Sequence, residues 1–455
     1  MAVWSTIRVS ETRRCFGRLD SEFYKPEFLA LDQAISNLSP VSLRQVMSKL
    51  DVGHVGPMVE HYSKEGILFL QTQNIKPFFI DLTHSVRIDS AFHEQLPKSQ
   101  VRKGNVLLAR SGSFGTASIY LDDDVVNAAD IIIVDLNKQT GITPLYFVAF
   151  LNSKYGVGQL LRFASGGVQG HVNLRILESF KIPTLEKQHQ DEVGKLVLDA
   201  YKAHKKSGMD YSSAQTLLSS ALKEGELQFE RPLSYTTKFS NVMREGRADA
   251  DYFQVPYVQL AKQIRENAAG FVPLTDYCAF LRPNANPDKT PNEEFSYVEL
   301  ADIHAGLGVI DACGKYRGGD LPSRARRCVM AGDVLASSVV GSIDKSAVIG
   351  KDQEGFIAST GFFHLRPKGV PPEFLLLLMR SKIVQMQLRQ QATGGILSGV
   401  PDARVKYIVV PKVKEDVQKA IAAKVRSAHG KHRESLSLLA AAKARVEELV
   451  EAAAK

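Results

Sequence analysis

Apolar and polar positions change period along this chain, and the order of the changes repeats. Short runs rich in β-branched and aromatic residues, bounded by Gly, Asn, Asp or Ser, come first: GILFLQTQNI (66–75), NVLLARSG (105–112) and ADIIIVDL (129–136). A second set follows in the other half, FSYVELADI (295–303), DVLASSVVG (333–341) and TGFFHL (360–365). Runs of that length and composition predict strands. Apolar stretches at 144–164 and 372–392 predict a helix after each set.

Beyond Pro183 and Pro411 the apolar positions step by three and four. Val193, Val197, Ala200, His204, Gly208, Tyr211, Ala214, Leu218 and Ala221 mark one stripe; Ile421, Val425, Ala428, His432, Leu436, Leu439, Ala442, Val446 and Leu449 mark the other. Each is a single narrow seam on a long helix. A helix over 186–223 runs roughly 57 Å and one over 414–453 roughly 60 Å. Neither is stable alone with so narrow a stripe, and matching seams predict an antiparallel coiled coil of the two. Gly208 costs about 1 kcal/mol relative to Ala in a helix and is a candidate kink, whereas the other helix carries Leu436 there.

The halves are copies of one unit. Residues 143–185 lie over 371–413 with no gap at an offset of 228, so that Pro144 meets Pro372, Ser153-Lys154 meets Ser381-Lys382 and Gln159-Leu160 meets Gln387-Leu388. Gly166-Gly167 meets Gly394-Gly395, Val172 meets Val400 and Pro183 meets Pro411. RLDSEFYKPEF (18–28) matches RADADYFQVPY (247–257) at nearly the same offset. A repeat of this period sets the domain count before any other consideration. We read a globular domain over 1–185, a helix over 186–225, a second domain over 226–413 and a second helix over 414–455, the domains being α+β. The framework is kept and the intervening surface diverges, as suits two copies that recognise different things.

Composition narrows the function. The 455 residues are 44% hydrophobic and 23% charged, which fits ordinary globular domains. Four scattered cysteines form no CxxC pair, so neither a structural zinc site nor a redox dithiol is expected. No apolar run approaches a membrane span or a signal peptide, and a prokaryotic cytoplasmic location is expected. The net charge is +8, of which the first 228 residues, with 25 basic and 24 acidic side chains, hold only one. A polyanionic partner is permitted, more so for the second half.

The two copies ending in SGGVQGHVNLRILESFKIPTLEKQHQDEV and TGGILSGVPDARVKYIVVPKVKEDVQKAI, each followed by a long helix, resemble the specificity subunit of type I restriction-modification systems. Lys187-Gln188 stands where that family has a Glu-Gln pair, and the second copy has Glu415-Asp416 with Gln418 beyond. The resemblance implies two target recognition domains in inverted orientation, each reading one half of a bipartite, asymmetric DNA site, with the helices fixing the gap. It also implies that methylation and cleavage reside in partners: methyltransferase subunits, of which two similar helices imply two, and restriction subunits, which would hold S-adenosylmethionine, ATP and Mg2+. No cofactor or metal is expected in this chain. The absence of a Walker A sequence, a GxGxxG loop, an HExxH pair and an Asn/Asp-Pro-Pro-aromatic tetrad agrees with a non-catalytic role. The other readings are a self-contained nuclease or methyltransferase, and a non-catalytic coiled-coil scaffold built of two repeated modules that bind RNA or protein.

Bases are read by Arg, Lys, Asn, Gln, Ser and Thr held at a groove, whereas phosphate contacts position. The first-domain candidates are Gln71, Gln73, Asn74 and Lys76; Arg110, Ser111 and Ser113; and Gln169, His171, Asn173 and Arg175. For Gln71 to Asn74 the solvated face of an alternating strand is an equal alternative. In the second domain KYRGGDLPSRARR brings Lys315, Tyr316, Arg317, Arg324, Arg326 and Arg327 around two glycines, the strongest basic cluster in the chain. Ser337, Ser338, Ser342 and Lys345 form the turn equivalent to 110–113. Arg18/Arg247 with Asp20/Asp249 and Glu22/Asp251 are read as a docking element, because aromatic pairs follow each; His204 and His432 are read as packed seam residues.

Overall fold

The apolar runs of the first half condense into two sheets in a computed structural model that describes residues 4–14, 17–110, 115–164, 174–267, 270–395 and 398–454. The chain divides into two units, Met1–His204 with Arg433–Lys455, and Lys205–His432. Each is α+β and contains part of both long helices.

In the first unit an antiparallel sheet runs in the order Met47–Val52, Ile131–Leu136, Val106–Ala109, Ala117–Ile119. A second sheet has the order Tyr62–Ser63, Val86–Ile88, Ile67–Leu70, Val126–Ala128, Gln100–Val101, with one parallel pair, Ile67–Leu70 against Val126–Ala128. The second unit repeats the plan. Cys278–Leu281, Phe362–Pro367, Val334–Ser337 and Ser346–Val348 form its antiparallel sheet. Gly314–Arg317, Glu294–Val298, Ile357–Ser359 and Ala325–Cys328 form its mixed sheet, again with the one parallel pair in the middle. Among the described residues that sheet has no strand equivalent to Tyr62–Ser63, so Gly314–Arg317 is its edge.

Several polar positions that the duplication keeps have side chains that bond the backbone. Gln159 and Lys181 exchange two hydrogen bonds, Nε2 donating to the carbonyl at 2.9 Å and Oε1 accepting the N–H at 3.0 Å. Gln387 and Val409 do the same at 2.7 and 2.9 Å. Gln190 donates to the Leu185 carbonyl at 3.0 Å and Gln418 to that of Val413 at 2.9 Å. These amides satisfy strand-end and helix-start groups that would otherwise be buried without partners. Ser153 and Ser381 have a second role. The predicted helices 144–164 and 372–392 are each broken there, into Pro144–Asn152 and Lys154–Ala164, and Pro372–Arg380 and Lys382–Gln391. The serine hydroxyl accepts from the new helix start, Gly156 at 3.4 Å in one copy and Val384 at 3.3 Å in the other. A chain that turns back needs such a cap at the new N-terminus.

The docking element has the predicted form. Arg18 grips Asp20 at 2.8 and 2.7 Å and donates to the Phe163 carbonyl at 3.2 Å; Arg247 grips Asp249 at 2.8 and 2.9 Å and donates to the Ala392 carbonyl at 2.9 Å. The arginine hydrogen bonds hold both carboxyls below the usual carboxylate range, against the effect of burial. Phe23-Tyr24 and Tyr252-Phe253 are buried beside them, edge to face with centroids 5.0 Å apart in both copies.

The long helices span Lys187–Ala221 and Glu415–Ala454 and are paired antiparallel within each unit. In the first, Ser435 donates its hydroxyl to the Ala200 carbonyl at 2.9 Å and Arg445 meets Glu192 at 3.2 Å. In the second, Ser207 donates to the Ala428 carbonyl at 2.8 Å and Ser427 bonds Asp210 at 2.7 Å. Val193, Val197, Ala200, Tyr211, Leu218, Ile421, Val425, Ala428, Leu439 and Val446 are buried, as the stripe requires. Two stripe positions are exposed and three half-buried: Leu436 is 41% exposed and Gly208 faces solvent, while Ser435 and Ser207, one residue earlier, are buried; His204, Ala221 and Leu449 are half-buried. A steady alternation of four and three steps lands on 207 and 435, and only the serines' polarity disguised it. Gly208 marks no break, since the helix runs through it. The seams also do more than meet each other. Val193, Val197, Ala200, Leu439, Ala442 and Val446 are continuous with the first unit's core around Tyr146, Phe147 and Phe150. Tyr211, Leu218, Ile421, Val425 and Ala428 join the second unit's core around Phe374 to Met379.

Candidate nucleic-acid interface

The residue types that read DNA fall into three places in the first unit. Gln71 to Asn74 form a tight turn after the strand Ile67–Leu70. Asn74 is buried there; its Oδ1 accepts the Gln71 N–H at 2.8 Å and its Nδ2 donates to the Asp81 carbonyl at 2.7 Å. Asp302 accepts the Glu299 N–H at the same 2.8 Å in the second unit, so this position shapes the turn in both copies. Gln71 and Gln73 are coupled at 2.9 Å, and Gln71 reaches the Tyr62 hydroxyl at 3.1 Å. Gln73 and Lys76 are exposed. The turn can therefore present two linked amides and one ammonium, but not Asn74.

Arg110 follows the strand Val106–Ala109 and pairs with Asp130 at 2.6 Å; Asp130 itself holds a left-handed backbone with φ of 42°. The pair is half-exposed, so the guanidinium is oriented while keeping solvent access. Its counterpart Ser338 donates to the Gly361 carbonyl at 2.9 Å. Ser111, Ser113, Gln169, His171 and Asn173 lie outside the described residues. Arg175 is exposed on the short helix Leu174–Leu177.

The basic run of the second unit is split by the fold. Lys315, Tyr316 and Arg317 lie on one edge strand of the mixed sheet and Arg326 and Arg327 on the opposite edge strand, with two strands between. At about 4.8 Å per strand the edges are about 14 Å apart. Arg327 is buried; it donates to the Leu281 carbonyl at 2.7 Å, lies 3.6 Å from Asp402, and burial pushes its guanidinium below the usual arginine value. It braces the fold. Arg326 is half-buried and tied to Asp288 and Asn286, both at 2.7 Å. Arg324 is exposed and meets Glu299 at 3.3 Å. Lys315 lies 3.6 Å from Glu294, Tyr316 is 44% exposed and packs edge to face on Tyr297, and Arg317 has no ion pair among the described residues. The exposed cations are thus Lys315, Arg317 and Arg324, joined by the connection that crosses the end of the sheet.

The polar turn after Val334–Ser337 is satisfied internally. Ser337 is buried and bonds Ser342 at 3.2 Å, and the Lys345 ammonium donates to the Leu300 carbonyl at 2.7 Å. Two further groups gave no sequence signal of their own. His304 and Asp311 sit on a short hairpin near His432, and Asp333 bonds His364 at 2.7 Å and Arg366 at 2.8 Å. Aligning 299–304 with 71–76 at the offset of 228 sets His304 opposite Lys76 and draws attention to the first. Burial pushes the Cys278 thiol up to about 12, which leaves it a poor nucleophile.

No family model matches the chain. Over 129 residues, 28% of this chain and 27% of the relative's length, it is 26% identical to the type I restriction enzyme EcoBI specificity subunit of Escherichia coli. The chain is similar to type I specificity subunits. Among solved structures, a type I restriction-modification S subunit from M. genitalium matches with a TM-score of 0.46 and 11% identity, over 91% of this chain and 95% of that one. The HsdS subunit from Thermoanaerobacter tengcongensis matches with a TM-score of 0.27 and 14% identity, over 90% and 95%. Among the described residues no helix is long and apolar enough to cross a membrane.

Proposed function

We propose that this chain is the DNA-recognition subunit of a type I restriction-modification complex and reads a bipartite, asymmetric site, one half per unit. The observation that carries this reading is the duplication itself. Two copies of one framework share their backbone-bonding glutamines, capping serines and arginine forks while their polar surfaces differ in kind: Gln71, Gln73 and Lys76 in one unit, Lys315, Arg317 and Arg324 in the other. Different readers on one scaffold specify unlike half-sites. The similarity to the Escherichia coli subunit supports the same reading.

In this reading the chain is non-catalytic. Methyltransferase subunits, one per unit, dock on exposed helix faces such as the groove lined by Glu192, Lys195, Leu196, Arg445 and Glu448. S-adenosylmethionine, ATP and Mg2+ belong to the methyltransferase and restriction subunits, and the complex works in the cytoplasm. Co-expression with its methyltransferase and genome-wide mapping of modified bases tests the proposal. A split motif whose halves change independently when residues 1–185 or 240–413 are exchanged is the expected outcome. An assembled complex that modifies no such motif would overturn it in favour of a scaffold, and competition of duplex DNA against RNA would then identify the ligand.

A further inference from the structure

The hairpin that follows the 299–302 turn carries chemistry that its counterpart lacks. Its strands Ile303–His304 and Val309–Ile310 pair Ile303 with Ile310 and His304 with Val309. Gly308 closes the turn with φ of 69°, and a Cβ there would stand 2.8 Å from the Ser346 carbonyl oxygen, so the tight turn requires glycine. The hairpin is held on the second long helix by His429, whose Nε2 bonds the Leu307 carbonyl at 2.9 Å. One turn further along that helix, His432 is buried with Nε2 2.8 Å from Asp311 Oδ1, and the His304 ring packs edge to face against it at 5.3 Å.

We propose that His304, Asp311 and His432 bind one divalent transition-metal ion of the zinc class. One ligand atom from each lies within 4.8 Å of the other two, so side-chain shifts of about an ångström would bring all three to bonding distance of a single ion. Two imidazoles and one carboxylate favour zinc, cobalt or nickel over magnesium or calcium, which take oxygen donors. Three protein ligands leave a position for water. The ligands come from the two arms of one hairpin and from a helix remote in sequence, so the ion would staple hairpin to helix. The Leu307 N–H donates to His304 Nδ1 at 3.3 Å, a long hydrogen bond that ligation through either ring nitrogen would break. Three metal bonds would stand against that bond and the Asp311–His432 bond.

The first unit reaches the same docking without such chemistry. Ile75 bridges Ile80 as Ile303 pairs with Ile310, but Lys76 stands at the place of His304, and Phe79 packs on Tyr201 and His204 with centroids 5.4 Å away in each case. An aromatic ring seats one hairpin, and imidazoles with a carboxylate seat the other. Because the turn at 299–302 leads directly into this hairpin, the staple would set its position. The inference stands independently of the DNA reading.

The test uses the full chain, untagged, stripped with a chelator and then dialysed against Zn2+ or Co2+. Wild type should retain about one equivalent of metal, and Zn2+ should raise its melting temperature. His304→Ala and Asp311→Asn should each abolish retention and the zinc-dependent shift while keeping the wild-type circular dichroism. Asp311 is partly exposed, so its replacement tests the site even where a change at buried His432 would unfold the unit. Wild type that retains no metal overturns the proposal, as do variants that retain as much as wild type. A cobalt spectrum with thiolate-to-metal charge transfer would assign the ion to a cysteine and overturn it as well.

Discussion

The two units carry the same strand pairing with different chemistry at its centre. Leu107 pairs with Ile133 in the first unit and the equivalent Leu335 pairs with His364 in the second. Asn105, which accepts the Arg102 N–H at 2.8 Å, becomes Asp333, which accepts the Met330 N–H at 2.9 Å. The turn is conserved because both side chains offer an oxygen to it. Asp333 then gains His364 at 2.7 Å and Arg366 at 2.8 and 3.0 Å, while the first unit buries Ile133 and places Asp135 in the position of Arg366. At this position the oxygen that bonds the backbone turn is kept in both units, while the residues paired with it differ together.

Asp333→Ala should therefore separate the units most. It strips His364, which is fully buried, of its carboxylate, and loss of one partner of a buried charged network costs about 3 kcal/mol. Asn105→Ala removes one hydrogen bond and should cost about 1 kcal/mol. Hydrogen exchange of the amides in Val334–Ser337 and Val106–Ala109 reads each unit by itself. The pH dependence sharpens the contrast. Burial raises the Asp333 pKa, but the His364 and Arg366 hydrogen bonds prevail and hold it well below the carboxylate range. A lowered native pKa gives stability that is present above the unfolded value of about 3.9 and is lost as pH falls toward the native one. The Asp333→Ala deficit should shrink below about pH 4, and that of Asn105→Ala should not. Equal deficits at neutral pH would mean that the triad adds nothing to the turn.

This contrast also explains how much of the molecule the sequence revealed. The repeat was legible because the offset of 228 aligns residues such as Gln159 with Gln387 and Ser153 with Ser381, whose bonds go to backbone, and the fold class and most of each helix seam because the apolar positions change period. The break of each helix at those serines was not legible, since an apolar run shows no interruption where one hydroxyl caps a new start. The candidate site was legible only in part. A run such as 315–327 reads as one patch, but a sheet places its two ends on opposite edges, and burial of Arg327 follows from a carbonyl at Leu281, 46 residues away. Asn74 resembled a base reader because the side chain that shapes a turn is of the same type as one that reads adenine.

The shared frame makes a symmetric prediction of intermediate size. Gln159→Ala and Gln387→Ala each leave one strand-end N–H and one carbonyl without their partner, at Lys181 and Val409 respectively. Each should cost about 1–3 kcal/mol, and the two costs should agree, because the bonds to the strand match and the further Gln387 bond, to the Ile383 carbonyl of its own helix, is long at 3.2 Å. Chemical denaturation with hydrogen exchange in Lys181–Ile182 and Val409–Pro411 measures both. A gap between them larger than that between Asp333→Ala and Asn105→Ala would show that backbone-bonding positions are no more equivalent than the rest.

The smallest effects test the helix register at adjacent residues. Gly208 is exposed, and a methyl group added there would meet nothing within 4 Å, so Gly208→Ala should stabilise the second unit by about 1 kcal/mol through helix propensity alone. Ser207, its neighbour, is buried against the Ala428 carbonyl, and Ser207→Ala should destabilise by about 1 kcal/mol. In the first unit Ser435→Ala should match Ser207→Ala, because Ser435 bonds the Ala200 carbonyl in the same way. Leu436→Ala, beside it on the exposed face, should be nearly neutral. Opposite signs at 207 and 208 place the seam on the serines; a loss at 208 and Leu436 with no loss at the serines would move it one residue, to the stripe that apolarity alone selects.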